Sequence, residues 1–272
     1  MMSLQEPLQP QALKRPLAAM LLPWLLPACV LGLWSLLSQG GLVPAYLLPP
    51  PGQVLATAQE YIFAPPGSAP YAGRFLTDAL ASLGRVGGGF ALAVLLGLPL
   101  GLISGRLRFM RLFLDTFING VRAVPGIAWL PLALVWFGIG FKTTVFLVAL
   151  AAFFPIYLGA AAGARQVNPL YMRSGAMLGL GRGQLIFSVL IPAAMPHVVT
   201  GLRLGLGISF AYLVLGELTG VPDGLGAAIM DARMLGRVDI IVMGILLIAV
   251  IGRLCDLAMV GGLKLFKSVR RR

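Results

Sequence analysis

Residues 143–163 read TTVFLVALAAFFPIYLGAAAG and contain no charged side chain. A helix needs about 20 apolar residues to cross the hydrocarbon core of a bilayer, which is about 30 Å thick. A transmembrane β-strand would be about ten residues long, with apolar and polar side chains in alternation. This stretch is continuously apolar, so it predicts a membrane-spanning helix.

The same pattern recurs along the chain, which has 272 residues, 58% hydrophobic and 11% charged. An ordinary soluble domain has about 25% charged residues. We therefore predict an all-α integral membrane protein with six transmembrane helices. The predicted spans are residues 18–38, 86–105, 112–137, 143–163, 194–218 and 239–260. Between the first two spans, residues 71–85 are expected to form a short amphipathic helix at the outer surface.

The net charge of +12 does not indicate nucleic-acid binding, because the cations are scattered between apolar runs. The segments between the spans instead alternate in charge. Thirteen cations fall on one predicted side and four on the other: Lys14, Arg15, Arg106, Arg108, Arg111, Arg165, Arg173, Arg182, Lys264, Lys267 and Arg270 to Arg272, against Arg74, Lys142, Arg233 and Arg237. Since cationic loops stay inside, both termini are predicted in the cytoplasm, with residues 1–17 as the N-terminus and 266–272 as a basic tail.

The third predicted span is interrupted by Pro125, Gly126 and Pro131. A proline removes a backbone hydrogen bond, and a broken helix is tolerated in a membrane where it is packed or lines a cavity. Arg122 precedes the break, and its guanidinium could bind an oxyanion through paired hydrogen bonds. It could equally bond carbonyls that the proline leaves unpaired, so a path-lining role and a packing role both stay open.

Other charged residues within the spans are expected to face protein or water, because charge is costly in lipid. Arg253 and Asp256 stand three residues apart and predict an ion pair on one helix face. Arg203 and Glu217 are fourteen residues apart, roughly 21 Å along a helix, so each needs another partner from a second span or subunit.

The polar segment 165–193 is patterned rather than a plain linker. Arg173, Ser174 and Gly175 are followed at fixed spacing by Gly179 and Pro192. The segment resembles the cytoplasmic loop of binding-protein-dependent permeases of ATP-binding-cassette (ABC) importers, which reads Glu-Ala-Ala, three residues, Gly, nine residues, Ile, one residue, Leu-Pro. Here Arg173 stands at the glutamate position.

The resemblance extends over nearly the whole chain. LPPPGQV at 48–54, ASLGR at 81–85, RAVPGIAWLP at 122–131, WFGIG at 136–140, GLR at 201–203, Glu217 and GLGAAIMDAR at 224–233 are similar to the sulfonate, taurine and nitrate permeases. This resemblance implies a type I importer permease of the bacterial inner membrane, in which the loop forms coupling helices. The residues that would contact the ATPase subunit are Met172, Arg173, Ser174, Gly175, Ala176, Leu178, Gly179 and Leu180.

The resemblance also implies partners and a substrate. The partners would be an ABC ATPase dimer, a periplasmic substrate-binding protein and a second copy of the chain, all within membrane lipid. The substrate would be an aliphatic sulfonate or taurine, with nitrate, bicarbonate or another small organic acid as the alternative. We predict that Arg122, Trp129, Tyr212 and Glu217 line the substrate path.

Two other classes of function were weighed. An ion-coupled carrier often contains an internal repeat, which we do not find here. An intramembrane hydrolase would need Ser209 and the single histidine, His197, within about 3 Å, whereas twelve residues of helix separate them by roughly 18 Å. The sequence contains no phosphate-binding loop, so ATP would have to be bound by a partner; no catalytic residue, cofactor or metal is predicted.

Overall fold

The computed structural model describes residues 17–41 and 43–269, with side chains at 22, 24–41 and 43–263. This part of the chain is helical and contains no strand. Its helices are α1 (Leu17–Gln39), α2 (Pro51–Phe63), α3 (Phe75–Arg106), α4 (Arg108–Arg122), α5 (Leu130–Phe137), α6 (Phe141–Gln166), α7 (Pro169–Met177), α8 (Arg182–Leu185), α9 (Ile191–Glu217), α10 (Leu225–Met234) and α11 (Val238–Val269). A 3₁₀ turn, Gly126–Trp129, precedes α5, and a π-helical segment, Ile186–Leu190, joins α8 to α9.

Four helical segments are long and apolar enough to cross a membrane: Phe75–Arg106, Phe141–Gln166, Arg182–Glu217 and Val238–Leu263. The pair α4 and Gly126–Phe137 would make a fifth. The first predicted span corresponds to α1, whose described apolar part, Trp24–Gln39, is shorter than the others. The described residues thus contain four or five of the six predicted spans.

Residues 71–85 do not form the separate helix expected from the sequence. From Phe75 onward they belong to α3, which continues without a break to Arg106. No proline interrupts the junction, so the backbone hydrogen bonds run on from the predicted surface segment into the predicted span. The segment between the first two predicted spans does carry a short helix, but it is α2.

The third predicted span is bent by 86° between α4 and the segment Gly126–Phe137. Pro125 causes the break, because its ring disfavours helical geometry at Val124 and it has no N–H to donate. Asp115 of α4 accepts a hydrogen bond from Ser104 of α3 at 2.7 Å and forms an ion pair with Arg165 of α6 at 3.4 Å. The bent pair is thereby attached to both neighbouring helices.

Helix α6 lies between α3 and α9, and small residues allow all three backbones to approach closely. A Cβ atom on Gly101 of α3 would lie 2.8 Å from Ala160 Cβ, and one on Gly159 would lie 2.8 Å from the Cα of Gly201 in α9. Small residues at helix crossings are the usual solution in membranes, where packing rather than water expulsion drives association. These three helices form the rigid centre of the bundle.

A second cluster joins α2 to α11 through Val54, Tyr61, Ile240 and Met243. The Tyr61 hydroxyl donates to Asp78 Oδ2 at 2.7 Å. Burial and this hydrogen bond raise the pKa of Tyr61, so the phenol stays protonated and keeps donating.

Candidate functional site

A cavity of about 300 Å³ lies where the broken helix faces α6 and α9. Arg122, Trp129 and Tyr212 all line it, so the fold brings together three of the four residues predicted for the substrate path. The remaining lining is mainly apolar: Val124, Gly126, Leu150, Ala151, Phe154, Pro155, Leu158 and Ile208.

Gly126 packs closely against the side chain of Tyr212. A Cβ atom there would overlap the hydroxyl group of Tyr212, so glycine lets the 3₁₀ turn lie directly against α9. Arg122 is exposed and forms no ion pair with any residue that the structure describes. Its donors can therefore meet an anion in a cavity whose walls are otherwise mostly apolar.

Glu217, the fourth predicted path residue, does not line this cavity. It is fully buried at the α10 end of α9. Its carboxylate accepts from Arg85 Nη1 at 2.7 Å, from Ser82 Oγ at 2.8 Å and from the Gly226 N–H at 2.8 Å. Arg85 also donates to the carbonyl of Asp223 at 2.8 Å and pairs with its carboxylate.

The same network satisfies the start of α10. The N–H of Gly224 donates to Asp78 Oδ1 at 3.0 Å, and that of Leu225 donates to Ser82 Oγ at 3.0 Å. The first N–H groups of a helix have no partner within it, so these side chains supply the missing acceptors. The network thus ties α3, α9 and α10 together, and its geometry is that of a structural junction.

Sequence reasoning missed the α3 members of this junction. Asp78, Ser82 and Arg85 recur at spacings of four and three residues, which places them on one helix face. A polar stripe of that period on an apolar helix was the signal available. It was hidden because residues 71–85 were assigned to a surface helix.

The predicted coupling loop contains a short helix closed by a glycine. The Asn168 side chain caps α7 by accepting from the Leu170 N–H at 2.9 Å. After the helix, Gly179 has φ +80°, and the N–H groups of Gly179 and Leu180 donate to the carbonyls of Ala176 and Gly175 at 3.0 and 3.1 Å. This pair of bonds is the Schellman arrangement, in which glycine tolerates the left-handed backbone.

The eight predicted docking residues do not share one environment. Gly175 is buried, and a Cβ there would lie 2.7 Å from Leu185 Cδ2, so the Leu185 side chain would have to shift. Met172 packs on the bundle core. Leu180 is partly buried. The exposed members are Arg173, Ser174, Ala176, Leu178 and Gly179.

Met177, which sequence reasoning left out of the docking set, is 87% exposed beside Leu178 at 82%. These two side chains end α7 as an apolar tip. Two adjacent large apolar residues outside the predicted spans were the signal available for this tip.

The mid-span charges find partners both between helices and within one helix. Arg203 of α9 donates to both carboxylate oxygens of Asp256 in α11, at 2.8 and 2.9 Å. Arg253 donates to the same carboxylate at 3.0 Å, as the sequence predicted. Arg203 therefore does take its partner from a second span, and Glu217 takes Arg85.

Comparison with known proteins places these features in a family. Residues 97–260 match the family described as binding-protein-dependent transport system inner membrane component. The chain is similar to a protein named as an aliphatic sulfonates transport permease in Bacillus subtilis, with 35% identity over 85% of this chain and 81% of the relative. It is also similar to the taurine transport system permease protein of Escherichia coli, with 36% identity over 85% and 83% of the two chains. The nitrate import permease protein of Synechocystis is 31% identical over 92% of each.

Proposed function

We propose that this chain, which belongs to the binding-protein-dependent transport system inner membrane component family, forms the path by which a small oxyanion crosses the inner membrane. The relatives' names refer to aliphatic sulfonates, taurine, nitrate and bicarbonate. Among these, an aliphatic sulfonate or taurine is the proposed substrate. Three relatives named for them are 34–36% identical to this chain, whereas those named for nitrate and bicarbonate are 31% identical.

The observation that carries the proposal is the cavity at the broken helix. Among the described residues that line it, Arg122 is the one cation, and it stands among apolar and aromatic walls that include Trp129 and Tyr212. A guanidinium offers paired donors that match the oxygen atoms of a sulfonate, and the apolar wall accommodates a short carbon chain. A site with one guanidinium suits a transporter, because the anion must be released as well as bound.

Energy would come from a partner, because the sequence contains no phosphate-binding loop. The proposed assembly has two copies of this chain, two ATPase subunits docked at α7, and a periplasmic binding protein that delivers substrate. ATP binding and hydrolysis would move α7 and switch the path between inward-open and outward-open forms. Both termini of the chain would lie in the cytoplasm.

Uptake into proteoliposomes that contain the chain and its ATPase tests this function. With binding protein present, taurine and short alkanesulfonates are expected to stimulate ATP hydrolysis and to accumulate, ahead of nitrate and bicarbonate. Accumulation of the solute without any ATPase would instead indicate an ion-coupled carrier. Stimulation of ATP hydrolysis by nitrate or bicarbonate alone would indicate that one of these anions is the substrate.

The docking role of α7 has its own test. Leu178→Asp places a charge on the exposed apolar tip, so we expect the ATPase to dissociate or to lose substrate stimulation while the chain still inserts. Met234→Asp is the matched control, because Met234 is also a large exposed apolar residue at a helix end, that of α10. Gly179→Asp should uncouple as well, but it also strains a backbone with φ +80°. Normal coupling in Leu178→Asp would refute docking at this tip.

A further inference from the structure

The charges on Arg203, Asp256 and Arg253 form a cluster that is exposed at a depth where lipid would be expected. Two guanidinium groups share one carboxylate, so the cluster carries one net positive charge. The side chains of Arg203 and Arg253 are 49% and 64% exposed. Donors remain on both arginines beyond those that bind Asp256.

Arg203 lies inside α9, away from both ends of the helix. It lies twelve residues from Ile191 and fourteen from Glu217, roughly 18 and 21 Å from the two ends of the helix. A lone arginine can extend toward the membrane surface, but Arg203 is held across to α11 by two hydrogen bonds. Charged groups at this depth normally face protein or water.

The exposed side of α9 carries a stripe of small or polar residues. Its members recur every three or four residues: Pro196, Thr200, Arg203, Gly207 and Ala211. The large apolar side chains of Leu204 and Ile208 are exposed beside this stripe. The charge cluster therefore lies on a narrow small and polar surface of the helix.

Beside the cluster, α9 and α11 line an open cavity of about 480 Å³. Its polar or small lining residues are Thr200, Arg203, Gly207, Ala249, Gly252 and Asp256, and its larger apolar ones are Leu204, Leu206, Phe210 and Ile248. Gly207 is followed in the chain by Ile208, which lines the cavity of Arg122. The two cavities therefore lie on adjacent faces of α9.

We propose that the Arg203–Asp256–Arg253 cluster is a second, water-accessible contact for the transported anion, displaced along α9 from the Arg122 cavity. This inference rests on the proposed function. Asp256 neutralises one of the two guanidinium groups and holds them in place, so the remaining charge attracts a small oxyanion without trapping it. The contact is to water and anion rather than to lipid.

Cysteine labelling in the full transporter tests the inference. The background is Cys29→Ala with Cys255→Ala, and single cysteines replace Gly207 or, as a lipid-facing control, Leu95. At position 207 a Cβ meets no atom within 4 Å, so the thiol fits without displacing a neighbour. The probes are two membrane-impermeant thiol reagents of similar size, one a sulfonate and the other a quaternary ammonium ion.

We expect Gly207→Cys to react, and the sulfonate reagent to be favoured by about tenfold after correction for its rate with a free thiol. The net positive charge is taken to lie about 6 Å from the reacting thiol, the spacing of residues four apart on a helix. In water this charge attracts the sulfonate reagent and repels the ammonium reagent, and the two effects together give about a tenfold ratio. Adding Arg253→Gln makes the cluster neutral and should abolish the preference while leaving the Arg203–Asp256 pair intact. Leu95→Cys should react with neither reagent.

Three outcomes would overturn the inference. Equal reaction rates with both reagents would show that the cluster does not attract anions. An unreactive thiol that forms a disulfide with its copy would place this face in a dry interface between subunits, and an unreactive thiol without cross-linking would place it in lipid. Each of these results can occur while the wild-type chain shows normal ATP-driven uptake, so failure of the inference is distinguishable from failure of the proposed function.

Discussion

Removing the Glu217 carboxylate should loosen the junction of α3, α9 and α10. Glu217 is fully buried and accepts hydrogen bonds from Arg85, Ser82 and the N–H of Gly226. Breaking a buried ion pair by deleting one partner costs about 3–5 kcal/mol, because the other charge stays buried. We therefore expect Glu217→Ala to lower the free energy of unfolding by about that amount, and the apparent Tm by on the order of 10 °C.

Further variants separate the contribution of the Glu217 charge to the free energy of unfolding from that of its side-chain shape. Glu217→Gln keeps the shape of the side chain and loses the charge, so it should cost less, about 1.5–3 kcal/mol. Combining it with Arg85→Met should cost less than the sum of the two single changes, because neither charge is then left alone. Arg233→Ala is the control, since Arg233 is exposed on the last turn of α10 and should change stability by less than about 0.5 kcal/mol.

The assay is the fraction of purified chain that stays monodisperse after heating in detergent, followed across temperature for each variant. A Tm for Glu217→Ala within about 1 °C of wild type would refute the reasoning, since about 3 kcal/mol of lost stability is incompatible with so small a shift. Strict additivity of the Glu217→Gln and Arg85→Met effects would also refute it, because it would show that the two side chains are not coupled.

Three further predictions concern the path and the packing. Arg122→Ala should slow substrate uptake at equal protein abundance. Arg122→Lys should restore part of the uptake, because it keeps the charge but loses the paired donors. Wild-type uptake by the alanine variant would show that Arg122 does not contact the substrate. Gly126→Ala should reduce uptake severalfold, because the added methyl would overlap the tyrosine hydroxyl of the cavity, whereas Gly120→Ala, with open space around its Cβ, should transport normally. Gly101→Val should lower thermal stability by separating α3 from α6, and equal loss in Gly87→Val, where no atom lies within 4 Å of the Cβ, would show that helix propensity rather than packing is responsible.

The membrane-spanning character of this chain follows from the sequence alone. Long apolar runs such as residues 143–163 require a lipid environment whatever their neighbours are, because backbone groups in lipid must be satisfied within the helix. The break at Pro125 is equally local, since proline cannot donate a hydrogen bond to the preceding turn. Gly179 was singled out in the sequence by its spacing in the loop resemblance, and the structure gives it the positive φ that closes α7.

Only the tertiary structure decided which distant residues meet. Arg122, Trp129 and Tyr212 line one cavity because the 86° bend turns the chain back against α9, an angle that the sequence pattern does not specify. Glu217 was grouped with them by sequence and instead lies in the junction with Arg85, 132 positions away in the chain. Helical spacing predicts the Arg253–Asp256 pair within one helix, whereas the partners of Arg203 and Glu217 depend on how separate helices pack, and that is set by the whole bundle.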